Sequence, residues 1–512
     1  MKLNTKRTVL VGFAFLLICA FWQAYDSIIP LILTNKFGMS QTWSGVIMAI
    51  DNILALFMLP LFGTLSDKSK NKRGRRTPFI VAGTLVAVAA FVALSFVDAA
   101  QLKNISEVST IDDPAALEIL YEDLSQETLT TPEGETFVLA EKFSKEEFTQ
   151  IRQELSDKST NPDYTNYVVP ARQAYAASIT HANPSALILF IAILLVALVS
   201  MATFRSPAVA LMPDVTIKPL RSKANAIINL MGAAGGIVVL ALGIVFATGS
   251  AKNALMNYSL FFGIIGGIML VCLGVFIATV KEPKWAAEMQ ADSIKYGIEE
   301  DVEEDGEKRK LSKPEARSLL FLLASIVLWF FGYNAITSKY SVYAANVLDM
   351  DYNTTLIIAQ AAAIVSYIPI GAISSKIGRK KTILAGIVML ATAFFSAGFI
   401  RAGSPIILVN VLFALAGVAW AAINVNSFPM VVEMCSGGDV GKYTGFYYTA
   451  SMAAQTLTPM VSGFFMDKAG MTVLFPYGTI FVALAFVTML CVRHGDSKVE
   501  AKKGLDAFDI DD

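Results

Sequence analysis

Apolar residues fall along this chain in uninterrupted blocks of about 20, each followed by a short polar connection. About 20 helical residues cross ~30 Å of hydrocarbon, so each block predicts one membrane-spanning helix. Twelve are predicted, near residues 8–34, 42–65, 78–97, 185–212, 226–248, 258–280, 318–337, 354–374, 382–400, 405–427, 444–464 and 473–492. The basic start MKLNTKR leads into an apolar run that lacks a small-residue cleavage site, so it reads as the first span.

Two stretches interrupt the alternation. Residues 98–184 are polar and acidic, with 16 Asp and Glu against 6 Lys and Arg. Ser144 stands three residues before Glu147, a capping-box spacing that predicts a short helix near 144–156. The segment fits either a small folded cap or a partly disordered insertion. Residues 281–317, with EEDVEEDGEKRK, read as a solvated linker. The predicted organisation is a six-helix half from 1–97 and 185–280, the insertion 98–184 and the linker 281–317. A second half, 318–492, and a tail, 493–512, follow.

Composition agrees with this pattern: 55% of the 512 residues are hydrophobic and 16% charged, below the quarter usual in soluble domains. A formal net charge of -1 argues against a nucleic-acid partner. Lys and Arg concentrate in alternate connections, among them SDKSKNKRGRR, IKPLRSK and SKIGRKK. The positive-inside rule then predicts both termini in the cytoplasm, residues 98–184 outside, and a multi-pass protein of the cell membrane. None of the four cysteines lies in 98–184, which speaks against a disulfide framework.

The two halves repeat. GTLSDKSKNKRGRR follows span two and GAISSKIGRKK follows span eight, with Gly63 opposite Gly371; Tyr25-Asp26 in span one matches Tyr333-Asn334 in span seven. The first loop resembles the helix 2–3 motif of the major facilitator superfamily, through Gly63, Asp67, Gly74, Arg75 and Arg76. Its continuation, GRRTPFI, is similar to that of sucrose–proton symporters and the related glycoside–pentoside–hexuronide–cation branch. PAVALMPDVTIKPLRSKAN, WAAINVNSFPMVVE and GKYTGFYYTASMAAQTLTP support the same resemblance. It implies an all-α fold of twelve transmembrane helices in two six-helix pseudo-repeats, with the 98–184 insertion between helices 3 and 4 as an addition. It also implies a substrate site near the midplane between the halves, and a cytoplasmic gate at Gly63, Asp67, Gly74, Arg75, Arg76 and Asp214, with Gly378 and Arg379 in the repeat. Ser375 stands where Asp67 does, so this gate is expected to be asymmetric. The sodium-coupled relatives carry two acids one turn apart in helix 2; here Ala55 and Leu59 fill those places, which favours a proton over sodium.

Charge at membrane depth costs ~2.5–3.5 kcal/mol on insertion scales, so each such residue is a candidate for function. Helical rise places Asp26, Asp51 and Arg205 each ~15 Å from a surface, on three helices of one half. Desolvation favours the protonated form of a carboxylic acid, a guanidinium favours the ionised one, and a carboxylate switching between them couples a proton to cavity shape. The alternative is a fixed Asp–Arg pair that holds helices together. Asn52, Asn334, Gln360, Asn424 and Gln455 supply donors and acceptors suited to a polyol. Trp22, Tyr25 and Tyr333 offer rings for stacking, although interhelical hydrogen bonding is an equal alternative for each polar group. Lys339, near the outer end of span seven, is expected to snorkel. His181 and His494 lie at surfaces, so carboxylates must carry any proton.

The expected function is therefore secondary transport, proton-coupled symport of a di- or oligosaccharide or glycoside, by a monomer that needs no metal or cofactor and is not an enzyme. Export of drugs or metabolites by the same fold, and a membrane sugar sensor without transport, are the competing expectations.

Overall fold

The computed structural model describes residues 3–155, 161–217, 220–250, 253–295, 311–432, 434 and 440–496. Much of the predicted linker and tail, residues 296–310 and 497–512, therefore lies outside the described residues, as do Cys435 and the side chain of Ser375. Cys19, Cys272 and Cys491 are free thiols.

Twelve long helices occupy the positions of the twelve apolar blocks. The first half has α1 (Thr5–Asn35), α2 (Gln41–Asp67), α3 (Thr77–Asn104), α4 (Ser185–Asp214), α5 (Arg221–Val245) and α6 (Ser259–Thr279). The second has α7 (Lys313–Tyr343), α8 (Tyr352–Ile377), α9 (Arg379–Ala397), α10 (Ile406–Val432), α11 (Val440–Ala469) and α12 (Leu474–Leu490). Ten of them are long and apolar enough to cross a membrane, among the described residues; α8 and α11 pack into the same bundles. Most run several residues past the apolar block, because caps such as the Ser312–Glu315 capping box of α7 lie in the polar flanks. Each half buries its own core, one around Phe21, Phe91 and Phe262 and the other around Trp329, Tyr340 and Phe475.

Residues 105–155 and 161–184 fold. Short helices, a two-stranded antiparallel hairpin (β1, Thr128–Thr130; β2, Thr136–Val138) and the helix Val169–Ala182 enclose a separate core with Leu117, Leu120, Phe148 and Val168. Ser144 and Glu147 form the capping box, but the helix they start spans only Lys145–Thr149, since Phe148 and Ile151 turn into the core.

The linker is not solvated throughout. It begins with the helix Glu282–Lys295, whose Trp285 is buried beneath the Arg7 guanidinium, 5.3 Å from the ring centre.

Two lysines are fully buried, one of them against expectation. Lys339 does not snorkel: it is fully buried, and its ammonium donates to the Gln41 carbonyl at 2.7 Å. The N-terminus of α2 closes over its end of α7, leaving no route to water. Lys36, a residue of the α1–α2 connection, is equally buried and bonds both oxygens of Asp98 at 2.7 Å and the Met256 carbonyl at 2.6 Å. Its ammonium sits 4.6 Å from the Tyr258 ring centre.

Breaking one partner of such a pair leaves an uncompensated buried charge, at a cost of ~3–5 kcal/mol. Asp98→Asn should lower the thermal unfolding midpoint markedly, and Lys36→Met with Asp98→Leu should recover most of the loss. Equal midpoints for the wild type and Asp98→Asn would show that the pair does not hold α1 to α3.

Candidate functional site

The two halves enclose a central cavity of about 810 Å³. It is sealed at the end that carries residues 105–184. There α2 meets α11 backbone to backbone: a Cβ at Gly45 would lie 2.0 Å from the Pro459 carbonyl oxygen, and one at Gly463 2.2 Å from that of Gln41. Asp467 of α11 accepts from the Gln41 and Thr42 amides at 2.8 and 2.7 Å, capping α2 where a carboxylate is favoured by the helix dipole. Beside it α5 meets α8, with Asn353 donating to Thr248 at 3.0 Å and the Thr248 and Tyr352 hydroxyls 2.8 Å apart. Deeper, Gln360 donates to Gln23 across the halves at 2.6 Å. From this closure the cavity runs toward the opposite end, reaching Leu59 on α2 and Tyr447 and Tyr448 on α11.

Asp26, Asp51 and Arg205 border a single recess of about 200 Å³ that shares Trp22, Asn52 and Gln455 with the main cavity. The three helices α1, α2 and α4 thus bring their charges to one place, as helical rise predicts. They do not form the fixed pair: among the described residues no ion pair within 4 Å joins Arg205 to either acid. Instead Asn52 donates to Asp51 at 2.9 Å, the Arg205 guanidinium lies 5.7 Å from the Trp22 ring centre, and Asp26 is exposed to the cavity although deep within the bundle. Buried donors on two neighbours, Trp22 Nε1 and Asn334 Nδ2, have no acceptor among the described residues. An unmet buried donor costs ~1–3 kcal/mol, which a ligand hydroxyl or water offsets.

The second half supplies aromatic surface. Tyr333 stacks on Trp420 with ring centres 3.6 Å apart and planes at 5°, and Phe330 meets Trp420 edge-on. Gln360, Asn424 and Gln455 line the same wall, and Asn334 faces the recess. Trp420 was legible as a candidate: it opens the WAAIN stretch one helical turn before Asn424, on the same face. Tyr25 does not reach the cavity. It is 1% exposed, its hydroxyl donates to the Met48 carbonyl at 3.3 Å, and its ring packs on Phe21 and Trp22. Asn426 likewise serves packing, donating to the Ala422 carbonyl and accepting from Ser374.

At the opposite end, the expected gate residues of the first half form one network, and Gly378 and Arg379 belong to a separate one in the second. Asp214, closing α4, accepts from Arg75 at 2.6 and 3.1 Å and from Arg76 at 2.8 Å. Arg76, 5% exposed, also pairs with Asp67 and reaches Ser66 and the Gly63 carbonyl. The carboxylate that caps α3 is Glu282, from the start of the linker. It accepts from the Arg76 and Thr77 amides at 2.9 and 2.8 Å and from the Thr77 hydroxyl at 2.7 Å. Gly74 makes room for it, with φ +116° and a position where a Cβ would collide with the carboxylate. The repeat reproduces the arrangement. Gly378, at φ +97°, precedes α9, and Asp496 accepts from the Arg379 and Lys380 amides at 2.6 and 3.2 Å. Each acid follows the last helix of its half, so comparing those flanks between repeats would have found both.

The described residues contain no group of His, Cys, Asp and Glu arranged to hold a metal ion.

The profile of the Major Facilitator Superfamily matches residues 173–367 and 352–507, together more than half of the chain, and that of the MFS/sugar transport protein family matches residues 10–101. A search of curated proteins returns no match. The inward open conformation of the xylose transporter XylE from E. coli is similar in fold, with TM-score 0.58 and 16% identity over 97% of this chain and 98% of that one. A D-xylose-proton symporter is similar with TM-score 0.52 and 15% identity, over 94% and 96% of the two chains. The peptide transporter POT in complex with sulfate reaches TM-score 0.57 at 11% identity, over 95% and 93%. At such identities the structures speak for the fold alone, whereas the sequence profile covers enough of the chain to place it: this protein belongs to the Major Facilitator Superfamily, a family of membrane transporters rather than enzymes.

Proposed function

We propose that the protein is a proton-coupled symporter of a sugar, with a di- or oligosaccharide or glycoside as substrate, working by alternating access. The observation that carries this reading is the shared recess of Asp26, Asp51 and Arg205, opening on a cavity walled by amides and stacked aromatic rings. Unmet donors at Trp22 and Asn334 suit the hydroxyls of a polyol, and a ring face suits Tyr333 and Trp420. The sugar-transport profile over residues 10–101 and the xylose transporters among the structural neighbours point the same way, as does the resemblance to the sucrose–proton and glycoside–cation branch.

The roles divide by position. Asp51 exchanges a proton, Arg205 is the fixed charge that favours its ionised form, and Asp26, exposed to the cavity, accepts from sugar hydroxyls. All twelve helices cross the cell membrane, with residues 98–184 outside and the Arg75–Arg76 network in the cytoplasm. The cavity is then sealed outside, and the conformation is inward-facing. The aromatic wall also favours a second reading, export of an amphipathic metabolite. A sugar requirement for uptake separates the two.

Topology is tested by an impermeant maleimide applied to cells. It should label Ser125→Cys and spare Asn71→Cys, and the reverse pattern overturns the orientation.

In proteoliposomes, uptake across a sugar panel should follow an imposed pH gradient and ignore a sodium gradient. Asp51→Asn keeps its shape but cannot exchange a proton. It should lose accumulation at least ~tenfold, a ~1.4 kcal/mol effect, while retaining exchange at equal pH. Asp26→Asn should mainly weaken sugar binding. Normal pH-driven accumulation by Asp51→Asn would place the proton on another group.

A further inference from the structure

Residues 105–184 are rooted in the first half by both ends, through α3 and through the helix Val169–Ala182 that leads to α4. Side chains strengthen the root. Gln173 donates to Asn35 at 2.9 Å, and Gln101 donates to the Lys36 carbonyl at 2.8 Å and the Thr180 hydroxyl at 3.3 Å. The unit has a core of its own, so these bonds attach a packed body to the first half.

Its hairpin nevertheless ends on the second half. The tip is a tight turn, held by Thr131 N–H to Glu135 at 2.8 Å and Gly134 N–H to Thr131 at 2.9 Å. The Pro132 carbonyl accepts from the Met471 amide, just after α11, at 2.6 Å. Gly134 and Gly470, both at positive φ, lie back to back: a Cβ at Gly470 would fall 2.3 Å from the Glu133 carbonyl oxygen. The Glu133 carboxylate stands 3.7 Å from Arg401, in the connection between α9 and α10. The turn is thus seated through backbone on the connection after α11, and a side-chain ion pair reaches a second connection of the other half.

We propose that this hairpin is a strap across the sealed end of the cavity, which holds the halves together there and must leave its seat before that end opens. Backbone contact this close has no slack. Rotation of the halves that parts α2 from α11 carries Pro132 away from Met471, because the unit travels with α2's half. Seated, the strap adds to the Asp467 and Lys339 contacts in favouring the state described here. The proposal rests on alternating access and on neither the substrate nor the coupling ion.

The test reads opening directly. Ser44 is fully buried in the sealed end on α2, so a cysteine there reacts only when the halves part. Ser44→Cys, in the full chain with its four cysteines replaced by Ser, is placed in lipid nanodiscs and its maleimide labelling rate measured. In one variant Asn-Gly replaces residues 131–135, a two-residue turn that fits strands ending at Thr130 and Thr136. In the other, Gly470→Val leaves the insertion intact and removes its seat. Both should label about fivefold faster, the shift expected from one net hydrogen bond. Unchanged rates overturn the proposal. So does acceleration in the turn variant alone, since the hairpin would then act without its seat. Should a variant misfold, amide exchange on the unmodified chain decides. A peptide containing Met471 should open at least as fast as one covering Gln41–Gly45, and a Met471 amide that stays protected while Gln41–Gly45 exchanges shows an end that opens with the tip still seated, which overturns the proposal.

Discussion

Every charged group set among these helices must be satisfied by a partner, by backbone or by water in a cavity, because hydrocarbon offers none of the three. The three solutions are spatially sorted. Lys36 and Asp98 pair in full burial. Lys339, Asp467, Glu282 and Asp496 bond to backbone carbonyls or helix N-termini. Asp26, Asp51 and Arg205 share no ion pair among the described residues and converge on the cavity, with a neutral amide, Asn52, donating to Asp51. Charges satisfied by the protein stabilise one arrangement of helices. Charges left to the cavity are those whose state a bound solute or proton can change.

The acids at helix N-termini show how the sorting serves motion. A carboxylate there gains ~0.3–1 kcal/mol from the dipole, besides its hydrogen bonds. Glu282 on α3 and Asp496 on α9 act within their own halves and repeat one another. Each ties the flank of its half's last helix to the N-terminus of that half's third helix. Asp467 on α2 is different, because it reaches from the second half to the first. Of the three caps this is the one that crosses between the halves, so it is the one that the proposed alternating access would have to exchange.

Much of this was legible in the sequence, and the limits have physical causes. Apolar block length locates helices because bilayer thickness permits few alternatives, and helical rise alone brings Asp26, Asp51 and Arg205 to one depth. Rotation about a helix is harder to read. Tyr25 and Asp26 are adjacent, yet one packs on Phe21 while the other faces the cavity. An all-apolar helix carries almost no periodicity to tell its faces apart. The environment of Lys339 escapes the sequence because snorkelling depends on what covers the helix end, here α2 from the other half. Glu282 is hidden in a stretch dominated by charge, where composition suggests solvent and only the repeat points to a cap. The core of residues 105–184 is spread over short elements whose apolar positions lack a sustained period.

These contacts also bear on the barrier to conformational exchange. Separating a fully buried ion pair costs ~3–5 kcal/mol, a slowing of several hundredfold or more if it had to occur in each cycle. Among the described residues the buried ion pairs, Lys36–Asp98 and Arg76–Asp214, each stay within the first half. Between the halves run neutral bonds, such as Gln23–Gln360 and Thr248–Tyr352, and charge-to-backbone bonds at the sealed end. Each is worth ~0.5–3 kcal/mol net, and each can be remade with water as the surfaces part. The one ion pair that crosses, among the described residues, is Glu133–Arg401, half exposed at 3.7 Å and so contributing little. Buried ion pairs thus hold the first half together, and the two halves meet through weaker polar contacts. Under the proposed alternating access, that division would let the halves part without separating a buried ion pair.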